Sequence, residues 1–246
     1  MLDLGDSCFE ALPSSISHLK HLRFLDISNN QSIISFPNTI CKLQSLQTLL
    51  FLNCTRLEKL PRDFGDLVSL SFLALTTQLK CLPAKGIGSL TSLRYLQIDH
   101  CGNLESLFDD GMQCLTSLRT FFVYNCERPV SLPQGLRYLT ALENLVFHNC
   151  EKLNLMEDRE DEDIQRGVCK LRSLVIVRIP KLVALPAWLQ GAANTLKRMS
   201  CLSTLREIAI TGCPELTQDE WHKIAHVPEI YLDGIEIQKQ WDISSN

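Results

Sequence analysis

The stretch Leu90-Thr91-Ser92-Leu93-Arg94-Tyr95-Leu96-Gln97-Ile98 decides the fold, because its spacing, L-x-x-L-x-x-L-x-L, recurs along the chain. The pattern returns at Leu19, Leu22, Leu25, Ile27; at Leu43, Leu46, Leu49, Phe51; at Leu67, Leu70, Leu73, Leu75; at Leu115, Leu118, Phe121, Val123; and at Leu139, Leu142, Leu145, Phe147. Between the second residues of these units the spacings are 24, 24, 23, 25 and 24. A period this regular marks stacked repeats, since one unit cannot bury its apolar face alone. Two longer units follow at spacings of 32 and 31, Leu171, Leu174, Val177, Ile179 and Leu202, Leu205, Ile208, Ile210. Partial copies stand at Leu2-Asp3-Leu4 and at Val227, Ile230, Leu232. Together they predict about ten strands.

Each x-L-x-L-x segment adds one strand to a parallel sheet, and the rest of the unit returns across the outer face. The expectation is an α/β solenoid, a curved horseshoe with short parallel strands on its concave face. Leu12-Pro13, Phe36-Pro37, Leu60-Pro61, Leu82-Pro83, Leu132-Pro133 and Leu185-Pro186 recur at equivalent points of the return leg. Proline fixes φ and removes a donor, so the convex side should be mostly irregular with short helical turns. The array is expected over 1–215, with an acidic insertion near 155–166, and a C-terminal cap over 216–246, built from a helix and a strand.

Composition agrees. The 246 residues are 45% hydrophobic and 21% charged with a net charge of −4, in the range of ordinary globular chains. The 43 leucines form no apolar run near the ~20 residues needed to cross a bilayer. No basic and apolar leader follows Met1, so export is not expected. No block of Lys and Arg supplies the footprint of a nucleic-acid or membrane binder.

Eleven cysteines, an odd number without any C-x-x-C, argue against a disulfide framework or a zinc ribbon. Cys54, Cys101, Cys126, Cys150 and Cys213 each fall three residues after the last strand leucine, where Asn30 stands in an earlier unit. Such a turn position holds a small buried group. Cys41, Cys114, Cys169 and Cys201 lie just before the first leucine of a unit and are also expected to face inward. Reduced structural cysteines place the chain in an intracellular compartment.

The units resemble the leucine-rich repeats of plant nucleotide-binding disease-resistance receptors of the coiled-coil class. Three stretches carry the resemblance: Leu57-Glu58-Lys59-Leu60-Pro61-Arg62-Asp63-Phe64-Gly65-Asp66-Leu67; the Cys-centred turns of Ile98-Asp99-His100-Cys101 and Ile210-Thr211-Gly212-Cys213; and the ending Glu220-Trp221-His222-Lys223-Ile224-Ala225-His226-Val227-Pro228 through Gly234. Phe108 replaces the unit proline after Leu107, and the basic stretch before the final Trp is shortened to Thr217-Gln218-Asp219. The resemblance implies a recognition module that senses a pathogen effector or a modified (guarded) host protein. It also implies restraint of an intramolecular nucleotide-binding domain, in the cytoplasm or shared between nucleus and cytoplasm. No G-x-x-x-x-G-K-[ST] loop is present, so nucleotide binding is not expected of this chain. The competing reading is a free-standing adaptor, such as a ubiquitin-ligase substrate receptor or a signalling scaffold.

Period two sends alternate strand residues to the open face. There the candidate partner-binding residues are Phe24, Asp26, Leu50, Leu52, Phe72, Tyr95, Gln97, Asp99, Phe122, Tyr124, His148 and Arg178, the last from a strand read as exposing Ile176, Arg178 and Pro180. Aromatic side chains on a non-core face supply large rigid contact area. The acids Glu157, Asp158, Glu160, Asp161, Glu162 and Asp163 form a solvated loop or an acidic latch against a basic partner.

Thr217-x-x-Glu220 reads as a capping box opening the final helix. His222 and His226 have the i, i+4 spacing of zinc ligands, but Lys223 stands where H-E-x-x-H needs Glu. No metal, cofactor or catalytic set is expected, and no nucleic-acid or membrane partner.

Overall fold

In a computed structural model, the described residues are 1–83, 86–105, 114–128, 136, 138–153, 155, 168–186, 189 and 203–237, with the side chains of Gln218, Asp219 and His222 left aside. They form one open sheet of eleven strands in strict chain order. The strands are β1 (Leu2–Asp3), β2 (Phe24–Asp26), β3 (Thr48–Phe51), β4 (Phe72–Leu75), β5 (Tyr95–Asp99), β6 (Thr120–Tyr124), β7 (Asn144–His148), β8 (Ser173–Val177), β9 (Glu207–Thr211), β10 (Glu229–Leu232) and β11 (Ile235–Glu236). Every neighbouring pair from β1 to β10 is parallel, and β11 closes the end antiparallel to β10.

The repeat pattern explains this order. Leu25, Leu49, Leu73, Leu96, Phe121, Leu145, Leu174 and Ile208 stand in register across the sheet, and all are fully buried. Ile27, Phe51, Leu75, Ile98, Val123, Phe147, Ile176 and Ile210 make a second row two residues on, at most 3% exposed. Between them the concave-face residues are mostly half-buried, which gives the alternating burial of β5 to β9.

Return legs are tight 3₁₀ turns, at Ser14–His18, Asn38–Lys42, Phe64–Asp66 and Ile87–Ser89. Pro13 and Pro37 open the first two with φ of −67° and −66°, the value the pyrrolidine ring imposes. The next leucine closes each turn, as where Leu43 N–H donates to the Ile40 carbonyl at 3.0 Å.

After β2, β3 and β5 to β9 the chain turns through a left-handed residue. Asn29, Asn53, His100, Asn125, Asn149 and Arg178 have φ between 50° and 62°, and Gly212 has φ of 65°. Asn adopts this region more readily than most residues. Here its side chain also bonds across repeats: Asn53 Nδ2 donates to Asn29 Oδ1 at 3.0 Å, and Asn149 Nδ2 donates to Asn125 Oδ1 at 2.9 Å. The ladder breaks at β4, where Thr77 Oγ1 donates to the Leu57 carbonyl instead.

The structure corrects the frame of the eighth strand. Leu174 pairs with Leu145 and Ile176 with Phe147, so the buried set is Val168, Leu171, Leu174, Ile176 and Ile179. The sequence frame lies three residues away, and an odd shift exchanges the two faces of a strand. Ile176 is core, the open-face residues are Ser173, Val175 and Val177, and Arg178 occupies the left-handed turn.

Three cysteine expectations change as well. Cys41, Cys54, Cys101, Cys126 and Cys150 are buried, but Cys114 is exposed and Cys169 and Cys213 are half-buried. Cys114 immediately precedes Leu115, and that position points outward in other units too, as Lys42, Asp66 and Tyr138 show. Cys169 follows the buried Val168 once the frame is corrected. Cys201 and the return legs at 107–108 and 132–133 lie outside the described residues.

The cap packs Ile224 and Val227, both fully buried, over the last repeat, with Trp221 against their cluster. Its helix is a 3₁₀ segment, Gln218–Ile224. Glu220, the acid of the expected capping box, ties the cap to the rest of the array. Its carboxylate reaches across to accept the Leu185 N–H of the preceding return leg at 2.8 Å and pairs with Lys223 Nζ at 2.6 Å. Asp233 and Gly234, at φ of 47° and 81°, turn β10 into β11, the backbone that a two-residue Asp-Gly hairpin requires.

Candidate functional site

The concave face brings the predicted site together with one exception. Phe24 and Asp26 on β2, Leu50 on β3 and Leu52 just after it, Phe72 on β4, Tyr95, Gln97 and Asp99 on β5, Phe122 and Tyr124 on β6, and His148 on β7 all lie half-buried on that side of the sheet. Arg178 does not join them. Val175 and Val177 take the positions assigned to its strand, and a frame anchored on Val168 and Leu171 would have found them.

Register turns separate aromatic residues into one diagonal. Phe72 and Tyr95 are paired on β4 and β5 with ring centroids 3.9 Å apart. Tyr95 meets Phe122 edge-on at 5.4 Å, Phe122 meets Tyr124 at 5.7 Å, and Tyr124 lies 5.8 Å from the His148 ring. The stripe thus crosses from the start of β4 to the end of β7. Ala74 and Thr76 beside it are small and buried, so the rings stand against a low floor. His148 Nδ1 is enclosed with no hydrogen-bond partner among the described residues.

The polar atoms of the stripe are held in place. Tyr95 Oη donates to Gln97 Oε1 at 2.8 Å, and Asp99 Oδ1 accepts from Asn125 Nδ2 at 3.1 Å while lying 2.7 Å from His100 Nδ1. Burial, with a smaller contribution from Tyr124, pushes the Tyr95 phenol up to about 12. Burial and the Asp99 carboxylate push Tyr124 up as well. Both phenols are neutral near pH 7 and act as contact surface and hydrogen-bonding groups.

The thiolate form is disfavoured at Cys54, Cys126 and Cys150. Burial raises Cys54 to about 11 and Cys150 to about 12, while a hydrogen bond with Cys101, then burial, raises Cys126. A thiol attacks as thiolate, a form these sites suppress near neutral pH. Among the described residues, no group of three or more His, Cys, Asp and Glu is placed to hold a metal ion. No helix there is long and apolar enough to cross a membrane. The acidic stretch 157–163 lies outside the described residues.

The family model described as "Leucine-rich repeat region" matches residues 1–232. The chain belongs to the leucine-rich repeat family. The leucine-rich repeat domain of the type III effector XCV3220 (XopL) has the same fold, with a TM-score of 0.59 and 22% identity over 94% of this chain and 75% of that one. Among curated proteins, the TMV resistance protein N of Nicotiana glutinosa is 27% identical over 145 residues, 48% of this chain and 13% of that protein. Disease resistance RPP13-like protein 4 of Arabidopsis thaliana is 35% identical over 102 residues, 39% of this chain and 12% of that protein. This leucine-rich repeat chain therefore matches only about an eighth of the length of these relatives. Its repeats are of the kind found in plant disease-resistance proteins, a scaffold for binding other proteins.

Proposed function

We propose that this chain is the recognition region of an intracellular plant immune receptor and binds protein partners through its concave face without catalysing a reaction. The partner in the alert state is a pathogen effector or a modified host protein. In the resting state the same receptor's nucleotide-binding domain contacts the repeats and is held inactive, so that a partner biases a two-state equilibrium. The observation that carries the reading is the Phe72–Tyr95–Phe122–Tyr124 diagonal, a row of large rigid rings on a face that the core does not use. Similarity to the two resistance proteins supports the immune context. The acids at 157–163 serve in this scheme as a latch toward a basic surface of the nucleotide-binding domain or ligand.

The test is capture in trans. The nucleotide-binding region encoded upstream of the repeats in the receptor gene is co-expressed with this chain, wild type or Tyr95→Ala/Phe122→Ala/Tyr124→Ala. Loss of co-precipitation by a triple variant of wild-type abundance is expected. Undiminished capture would contradict the autoinhibitory contact on this face.

A further inference from the structure

One residue before each concave strand the backbone forms another row. The Arg94 carbonyl accepts the Arg119 N–H at 2.8 Å and the Thr120 N–H at 3.0 Å. The same double acceptance repeats from Arg119 to Glu143, from Glu143 to Arg172 and from Arg172 to Arg206. It also holds earlier, where the Arg23 carbonyl accepts from Gln47 and Thr48. This bond pattern stacks five of the chain's thirteen arginines, Arg23, Arg94, Arg119, Arg172 and Arg206, along one rim of the concave face.

All five are exposed. Glu143 is the counter-charge within the row, bridging Arg119 at 3.7 Å and Arg172 at 3.6 Å. Glu207 lies beside Arg206, but its Oε2 accepts from Ser173 Oγ at 3.3 Å. No ion pair among the described residues engages Arg23, Arg94 or Arg206. In a chain of net charge −4 this is a local reversal of sign: Arg94 and Arg119, and Arg172 and Arg206, stand on adjacent rungs ~4.8 Å apart, while Gln47 and Ser71 separate Arg23 from Arg94 and Glu143 separates Arg119 from Arg172. It borders Phe72 and Tyr95, the first rings of the aromatic diagonal. Guanidinium groups bind carboxylates as planar forks, and the adjoining rings bind apolar side chains.

Taking the concave face as the binding face proposed above, we propose that its occupant is an acidic protein surface, with carboxylates on the arginine rim and apolar or aromatic side chains on the diagonal. A protein partner is preferred to a nucleic acid because Asp26, Asp99 and Glu207 lie half-buried on strands of the same sheet: a protein can set a few carboxylates on the rim and apolar side chains past these acids, whereas a polyphosphate carries a charge at every step. Glu143 restrains the rim by engaging two of its cations.

The probe is a fluorescein-labelled random copolymer of Glu and Tyr, titrated with the full chain at low salt and read by fluorescence anisotropy. Binding is expected, about tenfold weaker for Arg94→Gln/Arg119→Gln/Arg172→Gln/Arg206→Gln, since each exposed charge contact contributes modestly. Glu143→Gln should bind about twofold to threefold tighter, an effect that a purely structural role for Glu143 would not produce. Circular dichroism confirms that each variant is folded, and the single Glu143→Gln change keeps the test open if the quadruple variant is not. Absence of binding, equal affinity of the quadruple variant, or equal or tighter binding of single-stranded poly(U) would each overturn the assignment. If the copolymer result fails while the triple aromatic variant still loses capture of the nucleotide-binding region, the rim is wrong and the concave-face reading stands. If the aromatic variant also retains capture, the autoinhibitory contact assigned to that face fails with it.

Discussion

Phe72 and Tyr95 lie face to face on adjacent parallel strands, their rings 6° from parallel and 3.9 Å apart. The stack exists because in-register repeats place equivalent residues one strand spacing apart, close to the centroid separation of two stacked aromatic rings. It is half-buried and open to the concave side. Tyr95→Ala should therefore cost only about 1–2 kcal/mol of folding stability, from the lost stack and the lost bond to Gln97. Leu96→Ala, one residue on but fully buried, should cost about 2–5 kcal/mol. Urea denaturation of the two variants separates these expectations, and equal losses would mean that the ring is part of the core.

Arg178 provides a test of the corrected register. It adopts φ of 53°, a conformation unfavourable for a residue with a Cβ by roughly 1–2 kcal/mol. Arg178→Gly should leave stability unchanged or raise it by about 0.5 kcal/mol, after the entropic cost of glycine. On a strand the same change would destabilise. In the next repeat Gly212→Ala should lose about 1 kcal/mol or more, because φ is 65° and a Cβ would come within 3.3 Å of Arg178 Cγ. Thermal unfolding of both variants reads the two signs.

The cysteines predict a reactivity pattern. Cys8, Cys81 and Cys114 are exposed and should react with a thiol reagent at once at pH 8. Cys54, Cys101, Cys126 and Cys150 should react only on the timescale of unfolding. Fast labelling of these four in the native protein would contradict the packed turn row.

Alkaline pH should weaken the fold. Burial moves Cys54 from its ordinary value of 9.0 to about 11, and Tyr95 from 10.0 to about 12. The folded state retains protons that the unfolded chain releases, so this stability is complete below pH 9. It falls as pH rises through the interval from 9 to 12. Melting temperatures measured between pH 7.5 and 10.5 should decline, and Cys54→Ala/Cys150→Ala should decline less steeply.

Much of the fold is legible in the leucine spacing, because each unit needs apolar residues at fixed positions to bury its neighbours. The aromatic residues of the site are legible for the same reason, since alternation along a strand assigns its faces. The frame of β8 is not, since Leu171, Leu174, Val177 and Ile179 fit the pattern as well as Val168, Leu171, Leu174 and Ile176. Only pairing with β7 chooses between them. The left-handed ladder through Asn29 and Asn53 is carried by cross-repeat side-chain bonds, which spacing alone does not display. The hairpin at Asp233-Gly234 was readable as a turn dipeptide. The arginine rim is invisible to a search for charge runs, because its members are 25 residues or more apart; it emerges when residues after a buried leucine, such as Leu93-Arg94 and Leu118-Arg119, are aligned by unit.

The most direct measurement is the defence response of the parent receptor in leaf tissue when its repeats carry Tyr95→Ala/Phe122→Ala/Tyr124→Ala at wild-type abundance. Recognition through the concave face predicts a changed switch, with either loss of the partner-triggered response or activity in the absence of the partner. A receptor that stays silent at rest and responds fully to its trigger would contradict it.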